Sequence, residues 1–529
     1  MLMDLRESSS PTTLVTDICI IGAGAAGISL AAKLYEAGNE VLLVEAGGRE
    51  VAQSEQNIIQ GSSVGRPLAL NEGRVRVLGG TTSRWRGRCA ELSEIDLEKR
   101  SWVARSGWPI SFEELQYYHE ETAKHCGFNE PWRPDSSIYG PRLGGHFQNK
   151  FAPVQPFVWR FAPTGRAAYQ NWATRFARAL KPASGIKVLL HANVAAITPS
   201  AANNHVKAIE VRTLEGRSAQ IRAREFVLAC GGVENARITL NFASDAPALF
   251  SKVQDSLGRY FMQHPKVTTG AIQIRPGMEI ELQRMINLFL RPRGTQYEIG
   301  FCLSPIVQRS LELVNCSAHV RYEPGEHTGW KHVKSLLAPG SDTQFSKELV
   351  AIARDPRRVV ENGWRRAWGR SSLYPSPIAS LVVELEQLPD PDSRIFLQAP
   401  RDCVGLRRAA ADWRISDLEC RTALQFSQLI DKLFRQAGWG SVRIDQELEQ
   451  CGIITDKALQ ESYHHIGSTR MSESGKDGVV NRNCTVHGID NLHLVGASVM
   501  PTGGHVNPTF TIVSLALRLA DHLERRGGR

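Results

Sequence analysis

The chain lacks any run of eighteen apolar residues, so no segment reads as a membrane span. Met1 to Thr16 has no apolar core, which excludes a signal peptide or anchor there and leaves a flexible N-terminus. No C-x-x-C pair occurs among the ten cysteines, so they read as reduced, mostly buried thiols of a cytoplasmic protein. Cys316 with His319 and Cys484 with His487 have C-x-x-H spacing, but a closed zinc site takes four ligands. Neither pair has a second pair nearby, and no metal is expected. There is no internal repeat and no low-complexity tract. Charge of one sign is only mildly in excess, +9 over 529 residues, and without an RNA or DNA module this is not a nucleic-acid signal. Part of it is concentrated in Ala353 to Arg370, ARDPRRVVENGWRRAWGR, where Trp364 and Trp368 lie one helical turn apart. That segment reads as a solvated helix or loop whose tryptophans pack inward or against another subunit. A docking surface for an acidic ligand, partner or membrane face is the alternative.

What is present is a length too great for one core, and with it the expectation of at least two domains. The stretch Asp17 to Gly48, DICIIGAGAAGISLAAKLYEAGNEVLLVEAGG, reads as a buried strand, a glycine turn, a helix and a second strand. Gly22, Gly24 and Gly27 give G-x-G-x-x-G directly after the first strand, with Ala25 and Ala26 between the second and third glycines. The first glycine permits the tight turn, the second lets backbone approach a pyrophosphate, and the third lets helix pack on strand. The helix N-terminus offers free N–H groups and a positive dipole end to the phosphates. Glu45, followed by Ala46, ends the second strand eighteen residues after Gly27, where a carboxylate accepts from a ribose hydroxyl. This is a dinucleotide site that suits NAD or FAD equally.

Further along, Gly79 and Gly80 precede Thr81, Thr82, Ser83, Arg84, Trp85 and Arg86, small and hydroxyl residues that let backbone approach a flat ring system. Ser111 to Gly127 reads as a helix with a Ser111/Glu114 capping box, and Gly165 to Leu180 as a second helix. Ile186 to Ile197, Val206 to Thr213 and Glu225 to Gly232 read as strands, the last ending at Ala229, Cys230 and Gly231 before a helix. From about Phe261 the texture becomes antiparallel, with strands at Val267 to Ile274, Gln296 to Leu303, Leu311 to Tyr322, Leu381 to Leu385 and Arg394 to Leu397. Ser416 to Gly438 is a long amphipathic helix with Ser416 as N-cap and Glu419 at N3. The tail returns to a strand at Asn491 to Val495, a glycine-rich turn and a helix from about Phe510. The expected fold is α/β. A Rossmann-like domain is built from 17–110, 186–262 and 455–529, and an inserted α+β domain on an antiparallel sheet comprises 111–185 and 263–454.

GAGAAG with Glu45, VLGGTTSRW, FVLACGGVENAR, and the tail from HHIGSTRM through GASVMPTGGHVNPTFTIVSLALRLADHL together resemble the glucose–methanol–choline (GMC) oxidoreductases. With GRYFMQHP and SGWPIS these blocks span nearly the full length. The chain looks most like the pyranose-2-oxidase-like and bacterial sugar or polyol members, because Asn507 stands where other members carry a second histidine. The resemblance implies FAD on a domain of the GMC/p-hydroxybenzoate hydroxylase type. It also implies an alcohol substrate, with oxygen or another electron acceptor, and leaves homo-oligomerisation open. Pyranose-2-oxidase bonds its flavin covalently through a histidine at the position of Arg84, so the resemblance here implies noncovalent FAD.

By motif position His464, and not its neighbour His465, is the base that takes the hydroxyl proton while hydride leaves carbon for the flavin, and Asn507 is its partner. The resemblance implies cofactor contacts from Gly22, Gly24, Gly27 and Glu45, with Cys230 and Gly231 beside the ADP half. Val194 matches the residue that meets adenine in relatives. Gly80, Ser83 and Arg84 are expected at the isoalloxazine, and Gly496, Ala497, Asn507, Pro508 and Thr509 at the ribityl and pyrimidine parts. His505 either lines the pocket or is a satisfied turn histidine, and His264 and Arg470 are open between structure and function. The expected reaction is oxidation of a secondary hydroxyl of a sugar or glycoside. The alternatives are a tailoring oxidase of a bulky natural-product alcohol and a GMC-like flavoprotein with non-redox chemistry, a lyase or photodecarboxylase. The presence of both His464 and Asn507 argues against the last.

Overall fold

The strand Thr13–Ile21 is the centre of the nucleotide-binding half, because Ile18, Cys19, Ile20 and Ile21 are buried on both of its faces. It pairs in parallel with Val41–Val44 on one side and Ser218–Leu228 on the other. The sheet runs Leu2–Asp4, Ile186–Leu190, Val41–Val44, Thr13–Ile21, Ser218–Leu228, Val206–Arg212, Asn193–Pro199, and Leu492–Leu494 adds in parallel beside the end of Ser218–Leu228. The structure, a computed structural model, describes residues 1–7, 9–132, 143, 152–163, 170–180, 186–286, 288–290, 295–322, 329–337, 345–367, 372–374, 376 and 378–527. Residues 1–16, expected to be flexible, instead supply an edge strand: Leu2, Met3 and Asp4 register with Val188, Leu189 and Leu190, and Leu5 is fully buried. That segment is short and polar enough to look unstructured alone, and only the neighbouring strand's free edge pairs its backbone.

The helix Ala25–Glu36 follows the central strand and packs on the C-terminal helix Thr509–Gly527, with Lys33 bridging Glu121 and Asp521 at 2.9 and 2.8 Å. Gly24 caps the first of these helices without a side chain, so its first-turn N–H groups have no side-chain partner.

The second half is a nine-stranded sheet on the path Gly440–Ile444, Lys266–Ile274, Ile378–Leu385, Cys316–Tyr322, Gln296–Leu303, Val154–Phe161, Arg88–Cys89, all antiparallel. Its outer face is covered by Asp417–Gln436, which has the expected Ser416/Glu419 capping box and buries Ala423, Phe426, Ile430 and Phe434, one helical face. A three-stranded sheet joins Ser62–Ser63, from the first part of the chain, in parallel to Arg407–Asp412, which pairs with Arg394–Arg401.

Several boundaries differ from expectation. Leu311 does not begin a strand: Ser304 caps a helix Pro305–Leu311 with proline at its start, and the strand begins at Cys316. Ser111 does cap a helix, but Glu114 does not reciprocate. Its carboxylate accepts from Arg518 at 2.6 Å and Arg482 at 2.8 Å, and the helix breaks into Phe112–Gln116 and His119–Cys126. Of the helix expected at 165–180, residues 165–169 lie outside the described residues, and the rest is one turn, Trp172–Arg175, capped by Asn171. In the basic segment Pro356–Ala367 is a helix, with Trp364 55% exposed rather than packed inward, and Trp368 lies outside the described residues. Among the described residues no helix is long and apolar enough to cross a membrane.

Candidate active site

Four glycine-bearing turns converge where the C-terminal ends of the parallel strands meet the second sheet, the crevice in which open α/β sheets bind ligands. Gly22, at φ 104°, lies so close to the carbonyl of Ala229 that a Cβ would sit 2.5 Å from it. The Gly79–Gly80 turn docks on the first turn: the Gly79 N–H donates to Ala23 O at 2.9 Å, and a Cβ on Gly80 would lie 2.9 Å from the Gly24 Cα. Asn235 ties the remaining two, accepting from Cys230 N at 2.8 Å and donating to Val495 O at 3.1 Å. By contrast, a Cβ built on Gly24 or on Gly231 meets nothing within 4 Å. Those two glycines therefore face space that the protein itself does not fill.

The space is a cavity of about 990 Å³. Its lining takes in Gly22, Gly24, Ala25 and Ala26 of the first turn, and Glu45 and Ala46 after the second strand. Gly80, Arg84 and Trp85 of the paired-glycine block reach it, as do Val194, Ala229, Cys230 and Gly231. His464, Gly496, Ala497, Asn507, Pro508 and Thr509 from the tail complete it. Glu45 is not loose at the cavity: its two oxygens accept from Ala23 N and Gly47 N, each at 2.9 Å, and burial raises its carboxyl above the ordinary range. Arg74 and Arg76, which the sequence reading left unassigned, also line this end and lie 3.1 and 3.7 Å from Glu234. Burial acts to raise the Glu234 carboxyl, but Arg237, Arg74 and Arg76 outweigh it and hold it at about 2. The Nε of Arg76 is buried without a hydrogen-bond partner among the described residues. An anion beside these cations and the uncapped helix start at Ala25 fits the donors present.

At the other end His464 Nε2 lies 3.1 Å from the Asn507 side-chain nitrogen, and His464 Nδ1 lies 2.9 Å from His264 Nδ1. His264 Nε2 is 3.2 Å from the carbonyl of Gly503. The carbonyl can only accept, so His264 carries its proton on Nε2 and accepts at Nδ1. His464 must then donate from Nδ1, which leaves its Nε2 as the lone-pair nitrogen receiving the Asn507 N–H. His264 thus sets the tautomer of His464. Its proximity was not legible from spacing, since the two lie 200 residues apart. Burial, and after it the neighbouring His264, pushes the His464 imidazole well below its ordinary value, so the ring is neutral at pH 7. Among the described residues Asn507 Oδ1 is buried with no hydrogen-bond partner, an acceptor beside the lone pair.

Gly27, Gly79, Ser83 and His505 do not reach the cavity lining. A Cβ on Gly27 would lie 1.9 Å from Gly22 O, so its work is to let helix approach strand. Gly79 packs on Asn171, and Ser83 Oγ donates back to Gly80 O at 2.9 Å. His505 is buried edge-on to Phe157 at 4.8 Å between centroids. His465, the neighbour of His464, lines the cavity too, but its ring stacks on Phe261 at 6.0 Å, and the hydrogen bond with Asn507 is made by His464.

Burial depresses His264, His319 and His505 to about 4 and His465 to about 3. Between those values and the unfolded value near 6.5 the unfolded chain binds more protons, so stability falls as pH drops through that window. A melting temperature that declines from pH 7 to pH 5 is expected, and substitution of His505 by Gln should flatten the decline.

Residues 17–300, more than half of the chain and including the glycine turn and Glu45, match the family model described as "FAD dependent oxidoreductase". Residues 389–516 match the model described as "GMC oxidoreductase", and the chain belongs to that family. It is 22% identical to the fructose dehydrogenase large subunit of Gluconobacter japonicus over 97% of this chain and 98% of that one. It is equally 22% identical to 2-methyl-1,2-propanediol dehydrogenase of Mycolicibacterium austroafricanum (97% and 95% covered) and to paromamine 6'-oxidase of Streptomyces fradiae (96% and 91%). Among solved structures, pyridoxine 4-oxidase from Mesorbium loti aligns with a TM-score of 0.54 at 16% identity, covering 96% of this chain and 99% of that one. Formate oxidase aligns at 0.56 and 16%, covering 98% and 99%. The protein is an FAD-dependent enzyme acting on alcohol groups, and the unpartnered Nε of Arg76 and the open space at Gly24 fit the phosphates of such a cofactor.

Proposed function

We propose that this protein oxidises a secondary CH–OH group of a sugar or glycoside to the carbonyl, with His464 as general base and Asn507 holding the hydroxyl. The observation that carries this reading is the contact of His464 Nε2 with Asn507 in the cavity that also contains the dinucleotide cradle. Bound FAD supplies the acceptor for the two electrons that leave the carbinol carbon as hydride. Gly22, Gly24 and the start of the Ala25–Glu36 helix, with Arg74 and Arg76, would hold its phosphates. The start of Thr509–Gly527 presents Pro508 and Thr509 to the cavity, and a helix N-terminus there stabilises negative charge.

The substrate hydroxyl replaces the Asn507 N–H at the His464 lone pair, gives its proton to Nε2, and is oriented by the Asn507 amide. Asn507 presents a donor for the oxygen and, in Oδ1, an unpaired acceptor. As Nε2 takes the proton, the Nδ1–H directed at His264 stays where it is, so the positive charge developing on His464 is shared with a neutral neighbour. The carbonyl of Gly503 keeps His264 in place behind it.

The base must be neutral to act, so kcat/KM rises with pH through an apparent pKa below 6.5 and is level above it. Stopped-flow reduction between pH 5 and 8 tests this; a limb centred above 7.5 would assign the proton elsewhere. Arg84 offers no nucleophile to the flavin, so noncovalent attachment is expected, and acid precipitation should leave all yellow colour in the supernatant. The preference for sugar-like and polyol substrates, and the likeness to pyranose-oxidase members, rest on Asn507 and on the sugar and aminoglycoside names borne by relatives.

A further inference from the structure

The reactive end of the cavity holds a cluster of charges for which the proton transfer has no use. Lys266 opens the strand Lys266–Ile274, two residues after His264, and lies directly across the ladder from Glu384. Its Nζ is 3.3 Å from Glu384 Oε1. Arg88, from the far edge strand, donates to the same oxygen at 2.6 Å, and its other terminal nitrogen lies 3.2 Å from Glu298. The Arg88 guanidinium is stacked 4.0 Å over the ring of Trp159. His319 stands 3.8 Å from the shared oxygen. Glu384 is 3% exposed, and burial acts to raise its carboxyl, but Arg88 and Lys266 outweigh that and hold it ionised.

Every recorded contact of Glu384 falls on Oε1. Its Oε2 is buried with no hydrogen-bond partner among the described residues, as is Oδ1 of Asn507, and both residues line the cavity beside His464. Burying ionisable groups is a poor route to stability, since well-packed apolar residues do as well or better. An unpartnered carboxylate oxygen adds a further penalty that a ligand hydroxyl would remove. Arg88 and Lys266 balance Glu298 and Glu384 in charge, and His319, depressed by burial to about 4, adds none at pH 7.

We propose that Lys266 and Glu384, braced by Arg88, form the subsite that reads the substrate's other hydroxyl groups and selects an uncharged polyhydroxylated substrate over amino or acidic counterparts. The inference rests on the alcohol-oxidising reading of the same cavity. A hydroxyl suits the pair because it can donate to Glu384 Oε2 while accepting from Lys266 Nζ. An ammonium group finds a carboxylate already shared by two cations. A carboxylate finds cations already committed to Glu384. Arg84 and Arg86 also line the cavity and make an acidic substrate the strongest rival, but both are exposed, where solvent and salt weaken their pull.

The test is anaerobic reduction of the FAD-loaded enzyme by four probes: methyl glucoside, its 6-amino-6-deoxy analogue, the corresponding glucuronide, and cyclohexanol. The wild type should favour the neutral glucoside over each charged analogue by roughly tenfold or more in reduction rate over Kd, and over cyclohexanol by a wider margin. Lys266→Gln leaves the subsite net negative and should improve the amino sugar relative to the glucoside by about tenfold. Glu384→Gln leaves it net positive and should favour the glucuronide to a similar degree. Cyclohexanol has no further hydroxyl to read, so it reports any change in rate common to all substrates, and each variant's preferences are read as ratios to it. Lys266 is partly exposed and among the described residues pairs with Glu384 alone, so its variant retains the fold even if Glu384→Gln does not, and bound FAD per chain and melting temperature report on both. A wild type that prefers a charged sugar, or variants that slow all four probes alike, would overturn the subsite. Reduction by cyclohexanol alone would also overturn it while leaving alcohol oxidation standing. Reduction by none of the four would instead strike the alcohol-oxidising reading itself.

Discussion

Replacing His464 by alanine should slow anaerobic reduction of the enzyme's flavin by about 10²- to 10⁴-fold, the range that a positioned general base supplies. The expectation rests on the direction of the tautomer chain. Gly503 O, His264 and His464 are ordered so that His464 Nε2 carries the lone pair facing the cavity, where it receives the Asn507 N–H that the substrate hydroxyl would replace. The variant removes that lone pair and leaves the His264 acceptor and the Asn507 amide unpaired. Some stability is lost as well, about 1 to 3 kcal/mol for buried polar groups left without partners. The rate must therefore be measured on protein with its full complement of FAD, by stopped flow and not by turnover. His465→Ala provides the contrast: that ring stacks on Phe261 away from Asn507, so its loss should affect stability more than reduction. A His464 variant reduced at the wild-type rate would remove the base assignment, and a His465 variant with the larger defect would transfer it.

The second large effect is expected at Gly24. Valine there should yield a folded, colourless protein, with FAD affinity reduced at least about a hundredfold, equivalent to about 2.7 kcal/mol. Gly24 has φ −90° and ψ −163°, which any residue adopts, and a Cβ built on it meets no protein atom within 4 Å. The chain itself therefore has no objection to a side chain at this position. The only space that valine would fill is the cradle in front of the Ala25–Glu36 helix. Gly27 behaves in the opposite way, because its Cβ would collide with Gly22 O at 1.9 Å, so even alanine should damage the apoprotein. Measured by flavin absorbance per chain and by melting of the flavin-free proteins, Gly24→Val should lose colour but not the fold. A Gly24→Val protein that is as yellow as the wild type would show that this turn does not approach the cofactor.

The two expectations draw on different amounts of tertiary information. The glycine spacing and Glu45 announce the cradle from local sequence, because turn, strand and helix obey rules of a few residues' range. His464 and Asn507 were legible through motif position alone, as residues of a resembling family. The belt of Arg88, Glu298, Lys266, His319 and Glu384 was not legible at all. These residues come from five different strands, and apart from His319, whose spacing from Cys316 pointed only to an incomplete metal set, none stands in a spacing that distinguishes it from an ordinary surface charge until the sheet is assembled. Local rules also misjudged elements whose partners are distant. Glu114, well placed for a capping box, is recruited by Arg518, 404 residues away. Met1 to Leu5 becomes a strand only because Ile186–Leu190 offers it an edge.

By itself, then, the sequence determined the dinucleotide turn, the alternation of an α/β and an antiparallel half, and the family to which the chemistry belongs. These depend on backbone permissiveness and hydrophobic period, which act over short range. Only the tertiary structure decided which nitrogen of His464 faces Asn507, which histidine stands behind it, and which charges gather at that end of the cavity. Hydrogen-bond direction and buried charge balance are properties of groups brought together from distant parts of the chain, and no single segment carries them.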